Sequence, residues 1–183
     1  MSERWPTVDP RPYGKQQTEP WQGVPDNETG ALTPIDFILA HSDQVAVRIV
    51  SVIAFSSGFS FECVCKTSNR ELAHMAFLGD REYYESLHPE RTFRVGLQLP
   101  DGRRLTSLDV HSDVSTRASV ETGPRLKWIW ASGVHQLWWV YPLPAPGTLT
   151  FACEWPVARI PLSTVGIDSG PILNAAEQSV RLW

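Results

Sequence analysis

From Ile35 onward, apolar and polar residues alternate with a period of two, the spacing of strands that bury at least one face. Ile35, Phe37 and Leu39 open the pattern. Over Val45–Phe55 the alternation puts Val45, Val47, Ile49, Ile53 and Phe55 on one face. Ala46, Val50, Val52 and Ala54 make the other face apolar as well, which predicts a central strand covered on both sides. Ser56-Ser57-Gly58 then turns the chain. The next strand carries Phe59, Phe61, Cys63 and Cys65 on one side and Ser60, Glu62 and Lys66 on the other, so the two form a hairpin. Phe93, Val95, Leu97 and Leu99 repeat the alternation, and Pro100-Asp101-Gly102 turns into Leu105–Val110. Leu126, Trp128 and Trp130 oppose Arg125, Lys127 and Ala131. Ser132-Gly133 leads into Gln136–Tyr141, and Leu149, Phe151, Cys153 and Trp155 form a further strand face.

Two segments break the two-residue period. Ser68-x-x-Glu71 reads as a capping box ahead of a helix over Leu72–Leu78, with Gly79 as its left-handed stop. Asp80 starts a second short helical stretch that ends before Pro89, so residues 68–91 are predicted to be a helical insertion. Gly170-Pro171 opens a C-terminal helix over 171–181, with Ile172, Ala176 and Val180 on one face. Residues 1–34 hold Pro6, Pro10, Pro12, Pro20, Pro25 and Pro34 and no apolar period; they read as an extended or disordered arm, dispensable for folding. The expected architecture is all-β. A single antiparallel β-sandwich, immunoglobulin-like or related, spans 35–183, with the short helical insertion and the short C-terminal helix.

Composition adds to this picture. Fifteen prolines and eight tryptophans favour strands and turns over helix interiors. A net charge of −4, with no basic run longer than Arg103-Arg104, argues against nucleic-acid or acidic-membrane partners. Val45–Phe55 is too short and too polar to span a bilayer, and Met1–Gly30 holds no apolar export segment. An odd number of cysteines agrees with reduced thiols, so the chain is expected to be cytoplasmic.

The search for chemistry returns few motifs. There is no G-x-G-x-x-G, no P-loop, no G-x-S-x-G elbow and no H-E-x-x-H helix, and Cys63-x-Cys65 is too closely spaced for a zinc knuckle. No cofactor or metal is expected. His41-Ser42-Asp43 and His111-Ser112-Asp113 repeat one tripeptide, and His135 begins a strand. In an extended chain, residues two apart point the same way, so each His/Asp pair offers two ligands or an imidazole with its orienting carboxylate. Ser-Asp is equally common turn chemistry. The cysteines fall on core faces, where a thiol is usually an inert small hydrophobe. The segment Pro-Leu-Pro-Ala-Pro-Gly-Thr-Leu-Thr-Phe-Ala-Cys-Glu-Trp-Pro and the closing Leu-Trp resemble a group of uncharacterised bacterial proteins of similar length, which implies relatives but no activity.

Tryptophan gives the most leverage. Trp138 and Trp139 are consecutive on a predicted strand and must point to opposite faces. Hiding both requires a second cover: the C-terminal helix, the arm or another molecule. With Trp128 and Trp130 one tight turn away, this predicts a homodimer or another protein partner. The insertion adds Tyr83 and Tyr84. The expected function is a non-catalytic binding or assembly module acting through Trp138, Trp139, Trp128, Trp130, Tyr83 and Tyr84. The alternatives are a small hydrolase using His41, Asp43, His111, Asp113 and His135, possibly with a metal, and a carbohydrate-binding module resting on exposed tryptophan.

Overall fold

The structure, a computed structural model, describes residues 19–76, 91–108, 123–132 and 135–183, with the side chains of 74–76 and 130–132 outside that description. It is an antiparallel β-sandwich. The first sheet contains β2 (Ala31–Thr33), β3 (Phe37–His41), β4 (Val45–Ala54), β5 (Phe59–Thr67), β8 (Arg125–Ser132) and β9 (His135–Tyr141). Its order is β2-β4-β5-β9-β8, and β3 shares the β2 edge of β4. The second sheet runs β11-β10-β6-β7, built from β6 (Arg94–Gln98), β7 (Arg104–Thr106), β10 (Thr148–Trp155) and β11 (Ile160–Asp168). A small ribbon pairs β1 (Glu28–Thr29) with β12 (Val180–Arg181).

Between the sheets lies one core. Phe151 of β10 meets Phe61 of β5 and Phe37 of β3 edge-on, with centroids 5.2 and 5.4 Å away. Such T-shaped contacts add to the burial of the rings themselves. Two of the three turns expected from glycine are present, and the third, at Gly133, lies outside the described residues. Phe55 N donates to Gly58 O, and Gly102 takes a left-handed φ of 87° that a side chain would strain. Gly58 has a second reason to be glycine: a Cβ there would lie 2.3 Å from Val140 O and 2.7 Å from the Trp139 ring.

Register is where the pattern misleads. Ile49 pairs with Cys63 but Ser51 pairs with Glu62, so Val50 is a one-residue bulge. The bulge flips the faces after it. Val45, Val47, Ile49, Val52 and Ala54 all enter the core, whereas Ile53 turns outward and Phe55 packs against Trp139. Grouping Ile53 and Phe55 with Val45 by strict alternation is thereby corrected.

The first helix departs from its sequence signal in its cap, and the C-terminal helix in its length. α1 covers Arg70–Ala76, and its first turn is capped by Asn69 Oδ1, which accepts from Glu71 N and Leu72 N, rather than by Ser68. The expected helical stretch from Asp80 lies outside the described residues. α2 covers Gly170–Ala176 and buries Ile172 and Ala176, but Val180 belongs to β12, where it pairs with Thr29. The helix therefore ends five residues before 181, because the chain leaves it to make a strand.

In the described part of the arm, residues 20–22 lie against the outer face of the first sheet, Glu28–Thr29 pair in the ribbon, and Ala31–Thr33 enter the sheet as β2. Trp139 Nε1 donates to Pro20 O at 3.0 Å, and Lys127 Nζ donates to Gln22 O. Leu182 N donates to Asn27 O, and Ala31–Thr33 pair with Val52–Ala54. Arm and sheet thus share hydrogen bonds and apolar contacts, which changes what truncation should do. Deleting residues 1–30 uncovers Trp139 and should lower unfolding stability by about 3 kcal/mol, the scale of one large aromatic burial. A urea midpoint equal to that of the full chain would show that the arm adds nothing.

Candidate functional site

Catalysis would need the polar candidates to converge. His41 and Asp43 are exposed in the β3–β4 turn, where Ser42 supplies the turn chemistry: its Oγ donates to Ala158 O, and its amide donates to Val45 O. His111 and Asp113 lie outside the described residues. His135 Nδ1 is hydrogen-bonded to Glu62 across β5 and β9, on the outer face of the first sheet. Among the described residues, no three His, Cys, Asp or Glu side chains gather as a metal site.

The thiols are placed for packing. Cys63, Cys65 and Cys153 are free and buried. A hydrogen bond with Cys65 and full burial push the Cys63 thiol well above its ordinary range, and burial with Cys63 alongside raises Cys153 to about 12. A thiol held protonated in this way is a poor nucleophile.

Two of the expected binding tryptophans are internal. Trp138 sits in the inter-sheet core, and its Nε1 donates to the buried Gln136 Oε1. Trp139 faces the other way, edge-on to Phe55 at 5.6 Å, and is fully buried under the arm. As binding surfaces they are corrected: the chain supplies the second cover itself, so neither ring reaches solvent. Trp128 is the partly exposed one. A bulge at Ile129 follows it, so Trp130 sits opposite Leu137 rather than in step with Trp128; its side chain is outside the description. Tyr83 and Tyr84 also lie outside the described residues.

A groove of about 390 Å³ opens where the two ends of the described chain meet, lined by Pro20, Asn27, Glu28, Ser56, Ser57 and Arg181 among others. Two of its charged groups, Glu28 and Arg181, are already engaged. Glu28 Oε2 accepts from Ser56 Oγ at 2.7 Å, and Glu28 lies opposite Arg181 in the β1–β12 register. Partial burial works against the Glu28 charge, but hydrogen bonds from Ser179 and Ser56 and the Arg181 guanidinium outweigh it, holding the carboxyl below its usual range. The groove is thus the clasp of the ribbon.

No family model, curated protein or solved structure matches the chain.

The surface of the domain has one feature which pattern reading misses. The open edge of β11 runs from Ser163 to Asp168 in unbroken register with β10, from Ser163 opposite Cys153 to Asp168 opposite Thr148. Among the described residues, no backbone group bonds to its far side. Natural sheets blunt such edges with brevity, bulges, proline or lysine. β2 has three residues and runs into Pro34; β3 has a bulge at Leu39; β7 has three residues and begins at Arg104; β8 carries Arg125, Lys127 and its own bulge. In β11, Pro161 and an extra residue disturb only the start. Around this rim, Leu162 is 69% exposed, Ile38 of the neighbouring β3 is 57% exposed, and Val157 of the 3-10 turn (Pro156–Ala158) is 39% exposed. Edge and apolar rim together make the candidate interface.

The clasp generates a pH prediction. Because the folded Glu28 carboxyl titrates below its unfolded value, its contribution is complete at neutral pH and is lost as pH falls through the folded value. Glu28→Gln should melt below the wild type near neutrality, and the gap should close in acid. A gap independent of pH, or one that widens in acid, would refute the assignment.

Proposed function

We propose that this domain is a binding or assembly module that performs no covalent chemistry and engages a protein partner along the β3–β11 rim of its sandwich. The observation that carries the reading is the six-residue regular edge of β11, flanked by Ile38, Val157 and Leu162. Unpaired backbone groups along a strand are a template for an added strand, with main-chain bonds giving affinity and flanking side chains giving selectivity. Of the six aromatic residues expected to bind, Trp138 and Trp139 are buried, and the rim takes over their role. Their burial also removes the main support for a carbohydrate platform. A cytoplasmic location forms part of the proposal and is supported by the three free, buried thiols. Among the described residues, no helix is long and apolar enough to cross a membrane.

A photo-reactive amino acid placed at Leu162, and separately at Gln98 on the outer face of the same sheet, tests the reading in cells. The Leu162 probe should capture a defined protein species that the Gln98 probe does not. Equal capture at both positions, or none at either, would remove the rim as the interface.

A further inference from the structure

We infer that the strand added to β11 is β11 of a second copy of this chain, paired antiparallel about a two-fold axis at Val165; this rests on the proposed binding function and names its partner. Side chains alternate across a sheet, and paired residues share a face, so a self-paired strand must place its axis on a residue rather than between two. In the regular stretch from Ser163, an axis at Val165 sets Val165 opposite its own copy. Ser163 then faces Ile167 of the second copy, and Thr164 faces its Gly166.

The pairings at the centre of this register are physically favourable. Val165 and Ile167 point inward and pack against the core while remaining partly exposed at the rim. Joining two rims buries them in one apolar seam continuous with both cores, and a β-branched pair meeting across strands is a stabilising contact. On the outer face, Thr164 lies beside a glycine with no side chain to oppose it. The chain carries a net charge of −4, yet β11 has no Lys or Arg and a single acid, Asp168. Antiparallel pairing sends the two Asp168 carboxylates to opposite ends of the joint, so like charges do not meet. A parallel pairing would set them side by side. The symmetric contact closes on itself and leaves no further β11 edge open.

Sedimentation velocity of the full chain over a concentration series should show a monomer–dimer equilibrium. Val165→Lys places two ammonium groups opposite each other at the axis and should weaken the dimer by about tenfold or more. Val165→Thr keeps the branched shape and should retain the dimer. Hydrogen exchange on the wild type needs no variant: amides within 163–167 should gain protection as concentration rises while those of β6 do not. A monomer at every concentration overturns the inference, as does a dimer in which 163–167 gain no protection or which Val165→Lys leaves intact. A monomer whose Leu162 probe still captures a different protein would overturn self-pairing alone and leave the binding module standing.

Discussion

Trp138 and Trp139 are neighbours on one strand, and everything around β9 answers to that. Consecutive strand residues point to opposite faces, so a central strand carrying two indoles needs two apolar covers. The second sheet supplies the first, through the cluster around Phe151. The arm supplies the second, passing over the outer face with the Pro20 carbonyl on the Trp139 nitrogen. Leaving either ring in water would give up roughly 3 kcal/mol, a sizeable share of a typical domain's stability. The close approach of Gly58 to Trp139 and the contact between Phe55 and Trp139 follow from the same constraint.

Once the chain covers its own indoles, the site of any association has to lie elsewhere. The aromatic face is filled, and the strand edges offer the next place to look. Three open edges are short, bulged or basic, and the fourth, β11, is regular and nearly uncharged. Among the described residues the interior assembles no chemistry: burial raises the Cys63 and Cys153 thiols, and on the outer face the imidazole of His135 is engaged by Glu62.

Much of this fold was legible in the alternation of residues, and the failures have a common physical origin. Phe59, Phe61, Cys63 and Cys65 share a buried face as their period requires, with Ser60 and Glu62 marking the opposite face. β4 is apolar on both faces, so its pattern tolerates a slip of one residue, and the bulge at Val50 makes that slip. The capping-box pattern points to Ser68, and the geometry of the turn gives the cap to its neighbour Asn69. Prolines in the arm rightly exclude a central strand, yet they leave carbonyls free to accept, as Pro20 does. The need for a second cover over Trp139 was readable; which segment would provide it was not. The candidate interface was less visible still, since an open edge is a relation among strands and no residue of β11 announces it.

The central claim is that the arm of the same chain covers Trp139, and the indole proton of that residue reports on it directly. Hydrogen exchange of tryptophan indoles by nuclear magnetic resonance separates the residues by assignment. The Trp139 Nε1 proton, bonded to Pro20 O in a fully buried ring, should exchange far more slowly than that of the exposed Trp183, and at a rate independent of protein concentration. Exchange as fast as that of Trp183, or protection that appears only as concentration rises, would mean that the arm is not the cover.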